Sequence, residues 1–83
     1  MLGPERVLPR FYFDIHDGAT IRDEIGRVLT SREEVRREAL KVALKLLAAE
    51  AEDARETALV LTVRDEAGGV SLRIRVVSQV EEH

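Results

Sequence analysis

The sequence predicts an α+β fold: a two-layer sandwich with a mostly antiparallel sheet, element order β-β-β-α-β-β, and one long helix packed on one face. Three observations carry this. Residues 30–53 form one uninterrupted amphipathic run. Short segments of alternating apolar and polar residues lie on both sides of it, at 11–16 and 58–77. Helical patterns do not alternate with strand patterns, so parallel βαβ units are not expected. The strand order across the sheet does not follow from these observations.

Residues 1–9 hold Gly3, Pro4 and Pro9 without periodicity and form a flexible lead-in. A single domain is expected over 10–80, followed by a short tail at 81–83. In the strand at 11–16, Phe11, Phe13 and Ile15 point one way, and Tyr12, Asp14 and His16 the other. Asp17-Gly18-Ala19 is a turn, because Gly tolerates the positive φ of tight hairpins. A second strand follows at 20–22. Pairing Ile15 with Ile21 sets His16 opposite Thr20 and Asp14 opposite Arg22, an opposite-charge pair. The same register would put Asp23 beside Phe13 on the inner face. The strand should therefore end near Arg22, with Asp23 turning its oxygens onto the amides of the next turn, 23–26. Residues 27–29 form a short third strand.

Ser31 or Thr30 caps the helix, and Glu34 or Glu33, three residues on, completes a capping box. Val35, Ala39, Val42, Ala43, Leu46 and Ala49 share one stripe, with Leu47 at its edge. Arg37, Glu38, Lys41, Lys45 and Glu52 take the opposite face. Leu40, Leu44, Ala48 and Ala51 form a shoulder that widens the apolar arc beyond what one contact needs. Either the helix sinks deep into a curved sheet, or Leu40, Leu44 and Leu47 meet a second chain.

After the helix, Leu59, Leu61 and Val63 point inward from a strand at 58–65. Glu66-Ala67-Gly68-Gly69 makes a hairpin loop, and Val70, Leu72, Ile74 and Val76 return inward from 70–77. The four-residue loop pairs Val63 with Leu72, Leu61 with Ile74, and Leu59 with Val76, so inward residues meet at every rung.

Eighty-three residues allow one domain, and 45% hydrophobic with 35% charged residues is an ordinary globular balance. So small a chain has a marginal core. No cysteine is present, so disulfides and thiolate metal sites are excluded, and dimerisation is the cheap way to bury more area. A net charge of -3 argues against non-specific nucleic-acid binding. No apolar run has the length of a membrane span, and the N-terminus lacks signal-peptide order, so a cytoplasmic location is expected.

Asp14, His16 and Asp17 are the one grouping of His with carboxylates. Asp14 and His16 leave the same strand face, where a carboxylate beside an imidazole can orient a general base or bind a divalent metal. A metal would need further ligands, from Asp23 or Glu24. The plainer reading is a solvated face with an Asp14–Arg22 ion pair and a turn-capping Asp17. No catalytic, cofactor or metal residue is assigned. Gly68-Gly69 and Asp17-Gly18 precede no helix, so neither is a phosphate loop. With the strands side by side, the outer sheet face would collect Tyr12, Arg22, Arg64, Arg73 and Arg75. Arginines with an exposed aromatic on an open sheet suit RNA.

The strings PRFYFDIHDG, RDEIG and LTSREEVRREAL, at Pro9 to Gly18, Arg22 to Gly26 and Leu29 to Leu40, resemble a family of short bacterial proteins catalogued only as a domain of unknown function. Its pattern is Pro-Arg, two aromatics and Phe-Asp, then Arg-Asp-x-x-Gly, then Leu-x-Ser-x-x-x-Ala; Val35 stands where Ala is commoner. VRDEAG, Val63 to Gly68, resembles the family's second hairpin. The resemblance spans about 9–80. It implies a small cytoplasmic bacterial protein and transfers no functional residue. The expected function is a small non-enzymatic interaction domain forming a homodimer through the broad helix face or an exposed sheet edge. The alternative is a nucleic-acid-binding or antitoxin-like regulatory module using the outer sheet face.

Overall fold

A computed structural model describes residues 9–83 of the chain. The lead-in expected over 1–9 falls, except for Pro9, outside the described residues. The elements are β1 (Arg10–His16), β2 (Thr20–Ile21), β3 (Arg27–Val28), α1 (Arg32–Ala51), β4 (Glu56–Arg64) and β5 (Val70–Gln79). All strand pairings are antiparallel, in the order β2-β1-β4-β5, with β3 also on β1. The α+β expectation holds, with the helix packed on the sheet over β4 and β5.

The two short strands share one edge of β1. β2 pairs with Ile15 and His16, and β3 pairs with Arg10 and Phe11. The chain between them bridges the gap. The hairpin register is the expected one, with Ile15 opposite Ile21 and His16 opposite Thr20. The β4–β5 register also matches at Leu59–Val76, Leu61–Ile74 and Val63–Leu72. The alternation then breaks. Arg64 pairs with Val70, so Ser71 is an extra residue and the ladder bulges. Val70, expected inward, is 56% exposed there.

Ser31 caps α1: its Oγ accepts from the Glu34 amide at 3.0 Å. The Glu34 carboxylate reaches back one residue further than in a standard box, accepting from the Thr30 amide and hydroxyl. Both oxygen-bearing residues before the helix are therefore used. Val35, Ala39 and Ala43 are buried against Phe13, Ile15, Leu29, Leu59, Leu61 and Val63. Alanines at the two central contacts let the helix backbone approach the sheet closely. The buried arc is centred on them, and Ala49, expected on the same stripe, falls outside it and is exposed.

Candidate functional site

The motif residues converge on the turn between β2 and β3. Asp23 replaces a rung of the missing ladder: its Oδ2 accepts from the Phe13 amide, midway between the two short pairings. Its Oδ1 accepts from the amides of Ile25 and Gly26, each at 3.0 Å. Burial pushes the Asp23 carboxyl up. The amides of Gly26, Phe13 and Ile25, with Arg27 nearby, outweigh that and hold it below the usual aspartate range. The expected turn chemistry of Asp23 is thus present.

The expected Asp14–Arg22 pair is not. β2 stops at Ile21, and Asp14 instead takes Arg64 from β4, with Nε donating to Oδ2 at 2.7 Å. Asp14 Oδ1 accepts from the Asp23 amide, and Arg64 Nη2 donates to the Asp23 carbonyl at 2.6 Å. The Arg64 guanidinium also lies 4.5 Å from the Tyr12 ring centre, opposite it on the β1–β4 ladder. Arg10 closes the far side: its Nη1 donates to the Ile25 carbonyl, and its amide donates to Glu66 of the β4–β5 loop. The Pro-Arg, Phe-Asp, Arg-Asp-x-x-Gly and Arg-Asp-Glu strings therefore meet in one clamp that fastens the loop to the sheet.

This arrangement uses up the chemistry that the sequence suggested for Asp14. His16 Nδ1 lies 2.9 Å from Thr20 Oγ1, across the hairpin. Asp17 turns toward the helix end and raises the Glu50 carboxyl above the usual glutamate range, chiefly because a protonated Glu50 can donate a hydrogen bond to it, with desolvation and charge repulsion adding to the shift. Asp14, His16 and Asp17 thus have separate partners. Among the described residues no group of three or more His, Asp or Glu is placed to hold a metal ion.

The five outer-face candidates are divided. Tyr12 and Arg64 stack on each other within the clamp. Arg22 borders a hollow lined by Phe13, Ile15, Ile21 and Val42, on the helix side of the sheet. Arg73 and Arg75 stand exposed together on β5, with Arg73 Nε 3.4 Å from Thr62 Oγ1.

The three helix candidates share the other flank of the molecule. Val42 lies toward the β2–β3 turn, and Arg36 toward Val70, Ser71 and Leu72 at the start of β5. Leu40, Leu44 and Leu47 follow Arg36 around the helix, so they lean over the β5 edge. Leu47 packs against the core, Leu40 is half-buried, and Leu44 is 53% exposed. Beneath them, Leu72, Ile74 and Val76 are only half-buried, although their rung partners Val63, Leu61 and Leu59 are at most 1% exposed. Among the described residues β5 has a neighbour on one side alone. Sequence reasoning missed the role of Arg64 and the position of this seam, since both depend on β1 and β5 flanking β4.

No helix among the described residues is long and apolar enough to cross a membrane. A family model described as Domain of unknown function (DUF6894) matches residues 10–78. No curated protein and no solved structure matches the chain.

Proposed function

The chain belongs to the DUF6894 family, a domain of unknown function, and on that premise we propose that it is a small, non-enzymatic interaction domain that pairs with a second copy of itself. The observation that carries this reading is the half-finished seam along β5. On β4 the inner Leu59, Leu61 and Val63 are fully covered, whereas the inner side chains of β5 are not, and the nearest helix flank presents Leu44 to solvent. A ten-residue strand that among the described residues has one hydrogen-bonding side without a neighbour is itself a template for another strand. A second copy would cover both layers at once, and a domain this small gains most from such burial.

Light scattering after size exclusion, across a dilution series, tests the reading. The wild type should run as a dimer. Leu44→Glu should run as a monomer with an unchanged far-ultraviolet spectrum, because Leu44 is not part of the buried core. Dimer mass retained in that variant would remove the helix flank from the interface. A wild type monomeric at every concentration would sink self-association altogether.

A second reading, nucleic-acid binding through the outer face, rests on Arg73 and Arg75 standing exposed on one strand. It is weakened because Arg64 is spent on Asp14 and Asp23, and because the one aromatic of that face is already stacked on Arg64. Single-stranded RNA titrated by fluorescence anisotropy decides it: binding that Arg73→Ser and Arg75→Ser abolish would favour this reading over the first.

A further inference from the structure

We infer that the second copy joins edge to edge at β5, antiparallel, about a two-fold axis at Val77, so that Arg73 of each copy faces Glu81 of the other. The inference rests on the self-association proposed above and specifies its register.

An axis perpendicular to the sheet keeps both helices on one side, and it requires outward residues to meet outward residues. The outward row of β5 is Ser71, Arg73, Arg75, Val77 and Gln79, continued by Glu81. Its charges restrict where the axis can lie. An axis at Ile74 gives the longest ladder but sets Arg73 against Arg75 of the other copy. An axis at Arg73 or Arg75 sets that arginine against itself. Like charges directly opposite are destabilising. An axis at Val76 leaves Arg73 facing Gln79, a neutral pair. At Val77 the pairs become Arg75 with Gln79, Arg73 with Glu81 and Ile74 with Val80, and the two copies of Val77 cover each other. Val77 is 61% exposed and Val80 42% exposed in the single chain. The ladder can run past Gln79 because the Val80 amide is already held by the Arg55 carbonyl at 2.8 Å.

The helix layer gives an independent reason for this end of β5. The N-terminal turn of α1 shares a hollow with Val70, Ser71 and Leu72. The C-terminal half of the helix, with Leu44 and Leu47, therefore lies toward Val77. An axis near Leu72 would bring Arg32 and Arg36 of the two copies together. An axis at Val77 brings the leucines together instead.

Disulfide trapping tests the register directly, because the chain has no cysteine of its own. Residues directly opposite on antiparallel strands lie within disulfide reach. Val77→Cys should oxidise to a covalent dimer that retains the wild-type mass profile, while Ser71→Cys, on the same face toward the other end of β5, should not. Charge reversal is the second arm. Arg73→Glu and Glu81→Arg should each weaken the dimer by roughly tenfold at low salt, since the pair occurs twice. The double variant should recover to within about twofold. A wild-type dimer that Val77→Cys fails to trap, or whose double variant stays as weak as the singles, overturns the register and leaves self-association standing. A wild-type monomer overturns both.

Discussion

Gly26 is where the clamp leaves least room. Its φ is +69°, and a Cβ there would lie 2.8 Å from the Phe11 carbonyl oxygen and 2.9 Å from the Tyr12 ring. The first of these contacts is backbone and cannot rotate away. Gly26→Ala should therefore cost about 2 kcal/mol or more, read as a lower urea midpoint with an unchanged slope. Asp23 carries the same loop electrostatically. One carboxylate serves three amides, and Asn in its place offers a single acceptor oxygen. Asp23→Asn should cost about 1–3 kcal/mol at neutral pH. The folded carboxyl lies below its unfolded value, so its stabilisation is complete above the unfolded value and is lost as pH falls through the folded one. Wild-type stability should decline below about pH 4, and the decline should be shallower in Asp23→Asn. Urea melts across an acid pH series measure the difference. An identical pH profile in the two proteins would remove Asp23 from the acid response.

At the scale of elements, the contact of α1 with the sheet is set by its smallest side chains. Ala39 and Ala43 are fully buried, facing Leu59, Leu61 and Val63, which are buried to the same degree. The helix can neither lift nor slide without opening this contact. Ala43→Leu should overpack it at a cost of about 1–3 kcal/mol, measured by thermal or urea unfolding. Little or no loss would mean that the helix has freedom to shift along the sheet. The edges of the sheet are managed unequally. β2, β3 and the Asp23 carboxylate between them cover the edge of β1 along most of its length. Among the described residues β5, ten residues long, has the arginines of its outward row and the bulge near its start to discourage pairing.

The described residues form an open-faced sandwich with one finished side and one unfinished side. The finished side is the clamp, where Arg10, Asp14, Asp23 and Arg64 hold the loop, the sheet and one another by hydrogen bonds. The clamp thus serves architecture, and the proposed function falls on the opposite flank. If that flank is covered by a second copy, folding and association are linked, and the melting temperature should rise with protein concentration. Leu44→Glu should abolish that rise along with the dimer mass.

Much of this fold was legible in the sequence. Alternation at Phe11–Ile15 and Leu59–Val63, the pairing of inward residues across a four-residue loop, and the cap at Ser31 are local signals, because period and turn length leave few registers open. Even the turn chemistry of Asp23 followed from the poor fit of a carboxylate beside Phe13. Three features were decided only by the tertiary structure. Asp14 took Arg64 in place of Arg22 because β4, fifty residues away in the chain, lies against β1. Val70 turned out of the core because a bulge at Ser71 shifted the ladder. Leu44 came to overhang an edge because β5 is the last strand of the sheet among the described residues. Strand order arises from contacts between distant segments, and the bulge from the backbone geometry of the hairpin loop, which alternation alone does not encode. Where the ladder is regular, a periodic sequence sets which face each residue takes, but not which strand becomes its neighbour.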